Sequence, residues 1–350
     1  MSVDLSKLIS KRKISLTELN NKTIAIDAYN AIYQFLSIIR QQDGTPLTDP
    51  HGNLTSHLSG LFYRTSELFE YGITPIYVFD GIPSMLKQKT IMARMQRRKA
   101  AYAAWQEAKD AGEVEAARVH AQASTRIDKN VVESSKRLLG LMGVQCVNAP
   151  SEGEAQASYM CSKGLIYAAA SQDYDTMLFG SPKVVRNLSI SGRRKLPRKN
   201  IYVTVEPELV SLEDTLSNLG VSREQLIWIG IMLGTDFNEG IKGVGPKTAL
   251  KFAKLSSSIS DVKRIVKEKF NAEFELDISE VVSLFEKPEV VDVGEDFVRD
   301  AAKLQPDKEG ILRFMCDEHD FSNERIEKIV NRTMETRTKA HQPSIDNWFK

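Results

Sequence analysis

Three apolar stretches of this chain read as buried strands, and each stops on aspartate: TIAIDAYN at Asp27, TPIYVFDG at Asp80, and YAAASQDYD at Asp173 and Asp175. In an open α/β sheet the carboxyl ends of parallel strands lie side by side, at the edge where ligands bind. That placement predicts several carboxylates in one small volume. Two further segments add to them: APSEGEA carries Glu152 and Glu154, and the apolar, helix-like LIWIGIMLGTD closes on Asp236. Any one of these acids alone reads as a turn former, a helix N-cap or a first-turn acid favoured by the helix dipole. Their recurrence at the ends of apolar runs argues against accident. Crowded carboxylates raise one another's pKa unless positive charge sits among them, and hard divalent cations with oxygen ligands meet that need. The residues therefore point to a two-Mg²⁺ site of the kind that cleaves phosphodiesters.

The chain has 350 residues, 42% of them hydrophobic, enough for one large or two moderate domains with a real core. Its 47 basic and 46 acidic side chains leave a net charge of +1, so total charge does not announce a polyanionic partner. Distribution is more informative. Residues 87–99, KQKTIMARMQRRK, hold only positive charges, and Arg193, Arg194, Lys195, Arg198 and Lys199 form a second basic cluster. Either run alone reads equally as a solvated helix face, but acids gathered in one site and bases gathered in stripes suit a polyanion held with metal. Cys146, Cys161 and Cys316 lack metal-ligand spacing, and their odd, small number suits a reducing interior. With no signal peptide and no bilayer-length apolar run, a soluble cytoplasmic protein without a membrane partner is expected.

The periodicity predicts an α/β fold: a central, mostly parallel twisted sheet flanked by helices, with a helical arch insertion and a helical C-terminal part. Residues 1–81 open the core, with strands at 24–27 and 75–79, helices at 31–40 and 56–70, and the exposed loop QQDGTPLTDPHGN between those helices. Residues 82–130 are long, charged, alanine-rich and helical, broken only at Gly112. A connection of that length between two strands of one sheet must stand out as an arch or lid. The core resumes over 131–206, with helices at 131–141 and 154–163 and strands at 144–147 and 167–171. Two apolar stretches, 184–188 and 201–205, flank the second basic cluster as a hairpin. Residues 207–332 are expected to be mainly helical, and 333–350 to form a flexible tail.

Within the helical part, GIKGVGPKTALKF places Gly243 and Gly245 in a tight turn, Pro246 at a first helical position and Lys247 after it. A glycine-rich turn opening into a helix offers unpaired N–H groups and a positive dipole end to a phosphate. Gly and Pro suit a plain helix–helix turn as well. Lys247 tips the reading toward phosphate, because a helix N-terminus disfavours positive charge. The tail closes on QPSIDNWFK, where Gln342, Ile345, Trp348 and Phe349 fall at helix-turn spacing, a terminal apolar knot either docked on its own domain or kept for a partner.

Assembled, VDLSKLI, AIDAYNAIYQF, YVFDG, APSEGEA, SQDYD, LGTDF and GIKGVGPKTA occur in the order and spacing of the flap endonucleases, and the chain closely resembles those structure-specific 5′ nucleases along its whole length. The resemblance implies removal of 5′ single-stranded flaps in replication and repair, with 5′–3′ exonuclease activity. It implies that Asp27, Asp80, Glu152, Glu154, Asp173, Asp175 and Asp236 bind two Mg²⁺, with Mn²⁺ as a substitute. Lys87 and Arg94 match the family's basic catalytic side chains, acting with the acids Asp27 and Asp80. Arg40 and Tyr33 match residues that hold the phosphate backbone and stack the base near the scissile bond. The 82–130 insertion resembles the arch through which a flap passes, and residues 42–58 the wedge and 3′-flap pocket. Gly243, Gly245 and Lys247 fall in the helix–turn–helix that grips downstream duplex with a K⁺ ion. Gln342, Ile345, Trp348 and Phe349 are similar to the sliding-clamp motif. The implied partners are flapped or branched DNA and a sliding clamp, and the implied enzyme is a monomer. Ser2 stands where the family has glycine and Trp348 where Phe is usual, and the lack of a long basic tail suits the archaeal type.

Two other classes compete. A haloacid-dehalogenase-type phosphatase is suggested by Asp-x-Asp-Thr in SQDYDTM, with Asp173 as nucleophile, but Ser171 and Gln172 stand where an apolar strand is wanted, and Asp27, Asp80 and Asp236 are left without a role. A catalytically silent, clamp-tethered DNA-binding scaffold would gain phosphate affinity by losing these acids.

Overall fold

The computed structural model describes residues 3–195 and 202–341. A short strand β1 (Arg12–Lys13) precedes β2 (Thr23–Asp27), which is buried from Ile24 onward, as an interior parallel strand must be. Helix α1 (Ala28–Ile38) starts at once, with Asp27 as its N-cap. Helix α2 (Ser56–Glu70) then leads into β3 (Thr74–Phe79). The insertion is a helical hairpin, α3 (Gln88–Asp110) and α4 (Val114–Ala123), closed on its own small core of Trp105, Ala108, Ala117 and Ala121. Then come α5 (Lys129–Leu141), β4 (Gln145–Asn148), α6 (Gly153–Ser162), β5 (Ala168–Ala170), α7 (Asp175–Leu178) and β6 (Lys183–Arg186). Strands β7 (Gly192–Lys195) and β8 (Tyr202–Val205) make a separate ribbon, and β9 (Glu208–Ser211) returns to the main sheet.

The seven strands run in the order β1-β9-β6-β5-β2-β3-β4. From β6 to β4 every pairing is parallel, whereas β9 is antiparallel to β6 and β1 to β9. The predicted mostly parallel sheet is there, with an antiparallel edge. The predicted hairpin is re-paired: 184–188 begins inside β6, between β5 and β9, and the partner of β8 is β7. Val184 and Val185 are buried, which is the environment of an interior strand and not of an exposed ribbon. Strand β9 lies in the region expected to be helical, and its four residues are too few to show a period.

Strand alternation divides two cores across the sheet. Ile24, Ile26, Tyr77 and Phe79 join α1, α2 and α5 on one face. Ala25, Ile76 and Val78 meet α6 and α13 (Gly294–Ala301) on the other. A third core gathers α8 (Leu212–Leu219), α9 (Arg223–Leu233), α10 (Pro246–Leu255), α11 (Ile259–Phe270) and α12 (Ile278–Glu286) around Trp228. The expected 207–332 unit does not hold as one piece. Helices α14 (Lys308–Leu312) and α15 (Asn323–His341) join the first core through Ile311, Ile326 and Val330. The flexible lead expected over 333–341 is the end of α15, with Thr333 and Arg337 only 2% and 6% exposed. Those two positions extend the core-facing stripe of Ile326 and Val330 at helical spacing, hidden in the sequence by their polarity. No helix among the described residues is long and apolar enough to cross a membrane.

Candidate active site

Because β5, β2, β3 and β4 are consecutive parallel neighbours, the segments at their carboxyl ends bring Asp173 and Asp175, Asp27, Asp80 and Glu152 to one edge of the sheet. Asp27 serves twice, since its Oδ1 also accepts the Asn30 N–H at 2.9 Å as the cap of α1. Glu152 holds the N-cap position of α6 and Glu154 sits in its first turn. The Asp80 Oδ1 accepts the Gly153 N–H at 2.7 Å, and a Cβ on residue 153 would stand 2.7 Å from that same oxygen. Glycine is therefore what lets α6 approach so closely. Asp236 arrives from the turn after α9, which Asn238 braces by donating from Nδ2 to the Ile231 carbonyl at 2.8 Å.

The charges are strongly coupled. Burial, then repulsion from Asp80 and Asp173, holds Asp27 well above the ordinary carboxylate range despite the Asn30 N–H. Burial and the neighbouring Asp173, Asp27 and Asp175 do the same to Glu154. Asp80 is pushed up to about 6 by burial and Glu152, against the pull of Lys87. Asp175 is pushed up to about 7 by burial, Asp236 and Asp173. Asp236 goes the other way: burial raises it, but nearby positive charges, Lys87 and Arg94 the largest among them, hold it low. The Lys87 ammonium lies against Glu152 and 3.4 Å from Asp236 Oδ2, while Arg94 Nη2 reaches Asp236 Oδ1 at 2.5 Å. Burial alone would lower the Lys87 pKa, but these acids raise it.

Two bases from the foot of the insertion thus act as counter-ions to a nest of acids. Among the described residues, no three His, Cys, Asp or Glu side chains stand close enough to hold a metal ion as they are. The donor chemistry nevertheless fits hard divalent cations: every candidate ligand is a carboxylate, and burial together with neighbouring acids raises four of them. A stability prediction follows. Acids whose pKa is raised by folding make the folded state bind more protons than the unfolded chain, so the contribution of Asp80 and Asp175 to stability is fullest below the unfolded value of 3.8 and is lost as pH rises through about 6 to 7. In EDTA the unfolding free energy should decline between the unfolded and folded values, by up to ~1.4 kcal/mol per pH unit for each such group, and is read as a falling melting temperature. Added Mg²⁺ should remove the decline, and a melting temperature that climbs through the window in EDTA contradicts this reading of the site.

Tyr33 and Arg40 both lie on or just after α1, at the foot of the insertion. The Arg98 guanidinium of α3 covers the Tyr33 ring at 5.7 Å. Arg40 is engaged internally, donating to the Leu36 carbonyl at 2.7 Å, the Gly44 carbonyl at 2.8 Å and Thr125 Oγ1 at 2.8 Å, and so ties α1 to the 41–47 loop and to the end of the arch. Gly243, with φ +89°, and Gly245, the N-cap of α10, form the expected turn, with Lys247 exposed in the first turn of the helix. That turn is not among the carboxylates; it follows Asp236 on the same connection between α9 and α10. Ser2, Arg198, Lys199, Gln342, Ile345, Trp348 and Phe349 lie outside the described residues, and Arg193, Arg194 and Lys195 are described only as the backbone of β7.

Two residues of the site escape sequence reasoning. Ser171 Oγ donates to Glu154 Oε1 at 2.6 Å and Thr176 Oγ1 to the same oxygen at 3.0 Å, fixing one oxygen of that carboxylate. Their signal in the sequence is a pair of hydroxyls bracketing Asp173 and Asp175. The Thr176 hydroxyl is thereby shared between Glu154 and the Asp173 carbonyl, also at 3.0 Å, which does not suit a phosphatase motif. Thr176→Val should weaken Mn²⁺ binding, measured by electron paramagnetic resonance, by ~10-fold or more, as loss of a ligand-orienting partner does. Unchanged Mn²⁺ affinity would remove Glu154 from the ligand set.

The XPG N-terminal domain matches residues 2–101, which carry Asp27, Asp80, Lys87 and Arg94, and the XPG I-region matches residues 143–236, which carry the other five acids. The chain is 49% identical to flap endonuclease 1 of Pyrococcus furiosus and 47% identical to that of Methanosarcina acetivorans, with 100% of each chain covered in both comparisons. The structure of flap endonuclease-1 from Methanococcus jannaschii superimposes with a TM-score of 0.73 at 38% identity, covering 96% of this chain and 99% of that one. The catalytic core of Rad2, solved with a DNA substrate, shares the fold at 24% identity and a TM-score of 0.67, covering 95% of this chain and 100% of its own. With its acids gathered on the edge its sequence predicted, and with relatives matched from end to end, the chain belongs to the flap endonuclease family.

Proposed function

We propose that the carboxylate nest is the centre at which this divalent-metal-dependent, structure-specific 5′ flap endonuclease and exonuclease hydrolyses the phosphodiester at the base of a flap. The observation that carries the assignment is the convergence of acids from β2, β3, α6, the β5–α7 segment and the α9–α10 connection on Lys87 and Arg94. Asp27, Asp80, Glu152, Glu154, Asp173, Asp175 and Asp236 would hold two divalent ions, Mg²⁺ in this reading with Mn²⁺ as a substitute. Bound there, such ions supply an activated water and neutralise charge on the leaving oxygen.

The chain's own residues do the rest. Lys87 and Arg94, now paired with Glu152 and Asp236, turn to the phosphoryl oxygens as negative charge builds on them. Tyr33, supported by Arg98, stacks the base beside the scissile bond. Arg40 holds the backbone near the scissile phosphate while bracing the arch. The turn at Gly243, Gly245 and Lys247, with K⁺, grips duplex phosphates without reading bases. Gln342, Ile345, Trp348 and Phe349 tether the enzyme to a sliding clamp, and it acts as a cytoplasmic monomer on flapped or branched DNA. End-labelled 5′-flap, 3′-flap and blunt duplexes test the reading: only the 5′ flap should be cut rapidly, with Mg²⁺ and not with EDTA. Equal cleavage of the 3′ flap, or cleavage in EDTA, overturns it.

A further inference from the structure

Asp173 and Asp175 share one segment, the turn from β5 into α7, and the residue between them faces inward. Tyr174 is 4% exposed and belongs to the core around Trp228. A side chain from β6 grips the same segment. Arg186, the last residue of that strand, donates to the Gln172 carbonyl from Nε at 3.2 Å and from Nη2 at 3.0 Å, and to the Tyr174 hydroxyl from Nη1. Its guanidinium also lies 4.2 Å from the centre of the Tyr174 ring. Glu208 of β9 is the register partner of Arg186 across the antiparallel pair, with its carboxylate 3.6 Å from Nη1. Lys11 completes the group, 3.9 Å from Glu208 and 5.5 Å from the ring centre of Tyr174.

None of these partners belongs to the carboxylate nest. Lys87 and Arg94 hold acids by direct pairing, which incoming cations and phosphate would displace, whereas the bonds of Arg186 can survive that arrival. An anchor of this kind has work to do. Like charges repel in the nest, and the turn that carries Asp173 and Asp175 opens a helix of only four residues, with little regular backbone of its own to resist. Its local bonds, from the Asp173 N–H to Ser171 Oγ at 3.1 Å and from Thr176 Oγ1 to the Asp173 carbonyl at 3.0 Å, tie the turn to itself. Arg186 ties it to the neighbouring strand. Three donors of one planar group converge on two residues, a fork that a lysine cannot reproduce. We propose that Arg186, set in place by Glu208, is a positioning residue that fixes the backbone at Gln172 and Tyr174 and so holds Asp173 and Asp175 as joint ligands of one divalent ion. The proposal rests on the reading of the nest as a metal centre.

The test is a Mn²⁺ titration of the DNA-free protein, followed by electron paramagnetic resonance, in which the wild type should bind two ions. Arg186→Gln should weaken one of them by ~10-fold or more and leave the other as it was. Asp173→Asn identifies the affected site, and the double variant should weaken it by less than the product of the two single effects. In single-turnover cleavage of a 5′ flap, Arg186→Gln should need ~10-fold more Mg²⁺ for half its maximal rate, with the plateau near that of the wild type. Arg64→Gln is the structural control. Arg64 likewise braces backbone, at the Ser189 and Ser191 carbonyls, and its loss should leave both Mn²⁺ affinities unchanged. Tyr174→Phe keeps the ring and the bonds to Gln172, and should show a smaller loss at the same site with wild-type circular dichroism, so the outcome does not hang on the folding of Arg186→Gln. Wild-type affinity at both sites in Arg186→Gln and Tyr174→Phe overturns the proposal alone, as does an equal weakening of both sites that Arg64→Gln reproduces. A wild-type protein that binds no Mn²⁺ brings down the metal centre and the proposal together.

Discussion

Asp80→Asn should lose flap cleavage by at least ~10³-fold, several kcal/mol of transition-state stabilisation, while binding flapped DNA in EDTA as tightly as the wild type or more so. Asparagine keeps the volume of the side chain and the acceptor for the Gly153 N–H, so α6 stays where it is. What it removes is one negative charge from a cluster in which burial, and then repulsion from Glu152, pushes Asp80 up to about 6. Losing that charge relieves the folded protein and the approaching phosphates, but deprives the cations of a ligand. Single-turnover rates on a 5′ flap and fluorescence anisotropy in EDTA separate the two effects. A variant that cleaves at near-normal rate places the chemistry elsewhere.

Lys87→Ala should also be severely impaired, by ~10²–10³-fold in single-turnover rate, through loss of a donor aimed at charge that develops in the transition state. Its signature differs from that of Asp80. Lys87 is the counter-ion of Glu152 and Asp236, and its side chain is 15% exposed, so removing it leaves the buried Glu152 without its ammonium and Asp236 with Arg94 in place of two cations. Removing one partner of such a pair costs about 3 kcal/mol of stability. Mg²⁺ should restore that stability by supplying positive charge, yet leave the rate low, because a metal among the acids does not replace an ammonium over the phosphoryl oxygens. Lys89→Ala is the control. Its partners Glu239 and Glu275 are more than 60% exposed, as is Lys89 itself, and exposed pairs contribute little. A Lys87→Ala enzyme with wild-type rate would reduce Lys87 to a structural counter-ion.

The carboxylate edge was legible because two independent patterns coincide there. Interior parallel strands announce themselves as short apolar runs, and the residue just past each run lands on the ligand-binding edge. Asp27 shows that the bland and the functional readings need not exclude each other, since it caps α1 and belongs to the nest. What stayed hidden depended on pairing across distance. Strands β1 and β9 have two and four residues, so neither carries a period, and the β7–β8 ribbon could not be told from a pairing of β6 with β8 without the sheet order. The end of α15 reads as a polar tail because its core-facing positions, Thr333 and Arg337, are polar, with Arg337 stacked on Phe69 at 4.2 Å and bonded to the Ala301 and Ala302 carbonyls. Ser171 and Thr176 were visible as letters but not as partners of Glu154, because a hydroxyl's target lies in three dimensions. Arg40 is alike: resemblance assigns it to the DNA backbone, but its bonds to the Leu36 and Gly44 carbonyls and to Thr125, which brace the arch, are set only in three dimensions.

The most direct test of the central claim is to soak crystals of the protein in Mn²⁺ and collect anomalous diffraction. Two manganese peaks ringed by oxygens of Asp27, Asp80, Glu152, Glu154, Asp173, Asp175 and Asp236 are the expected result. A difference map with no peak among these carboxylates, at a Mn²⁺ concentration that supports cleavage, contradicts it.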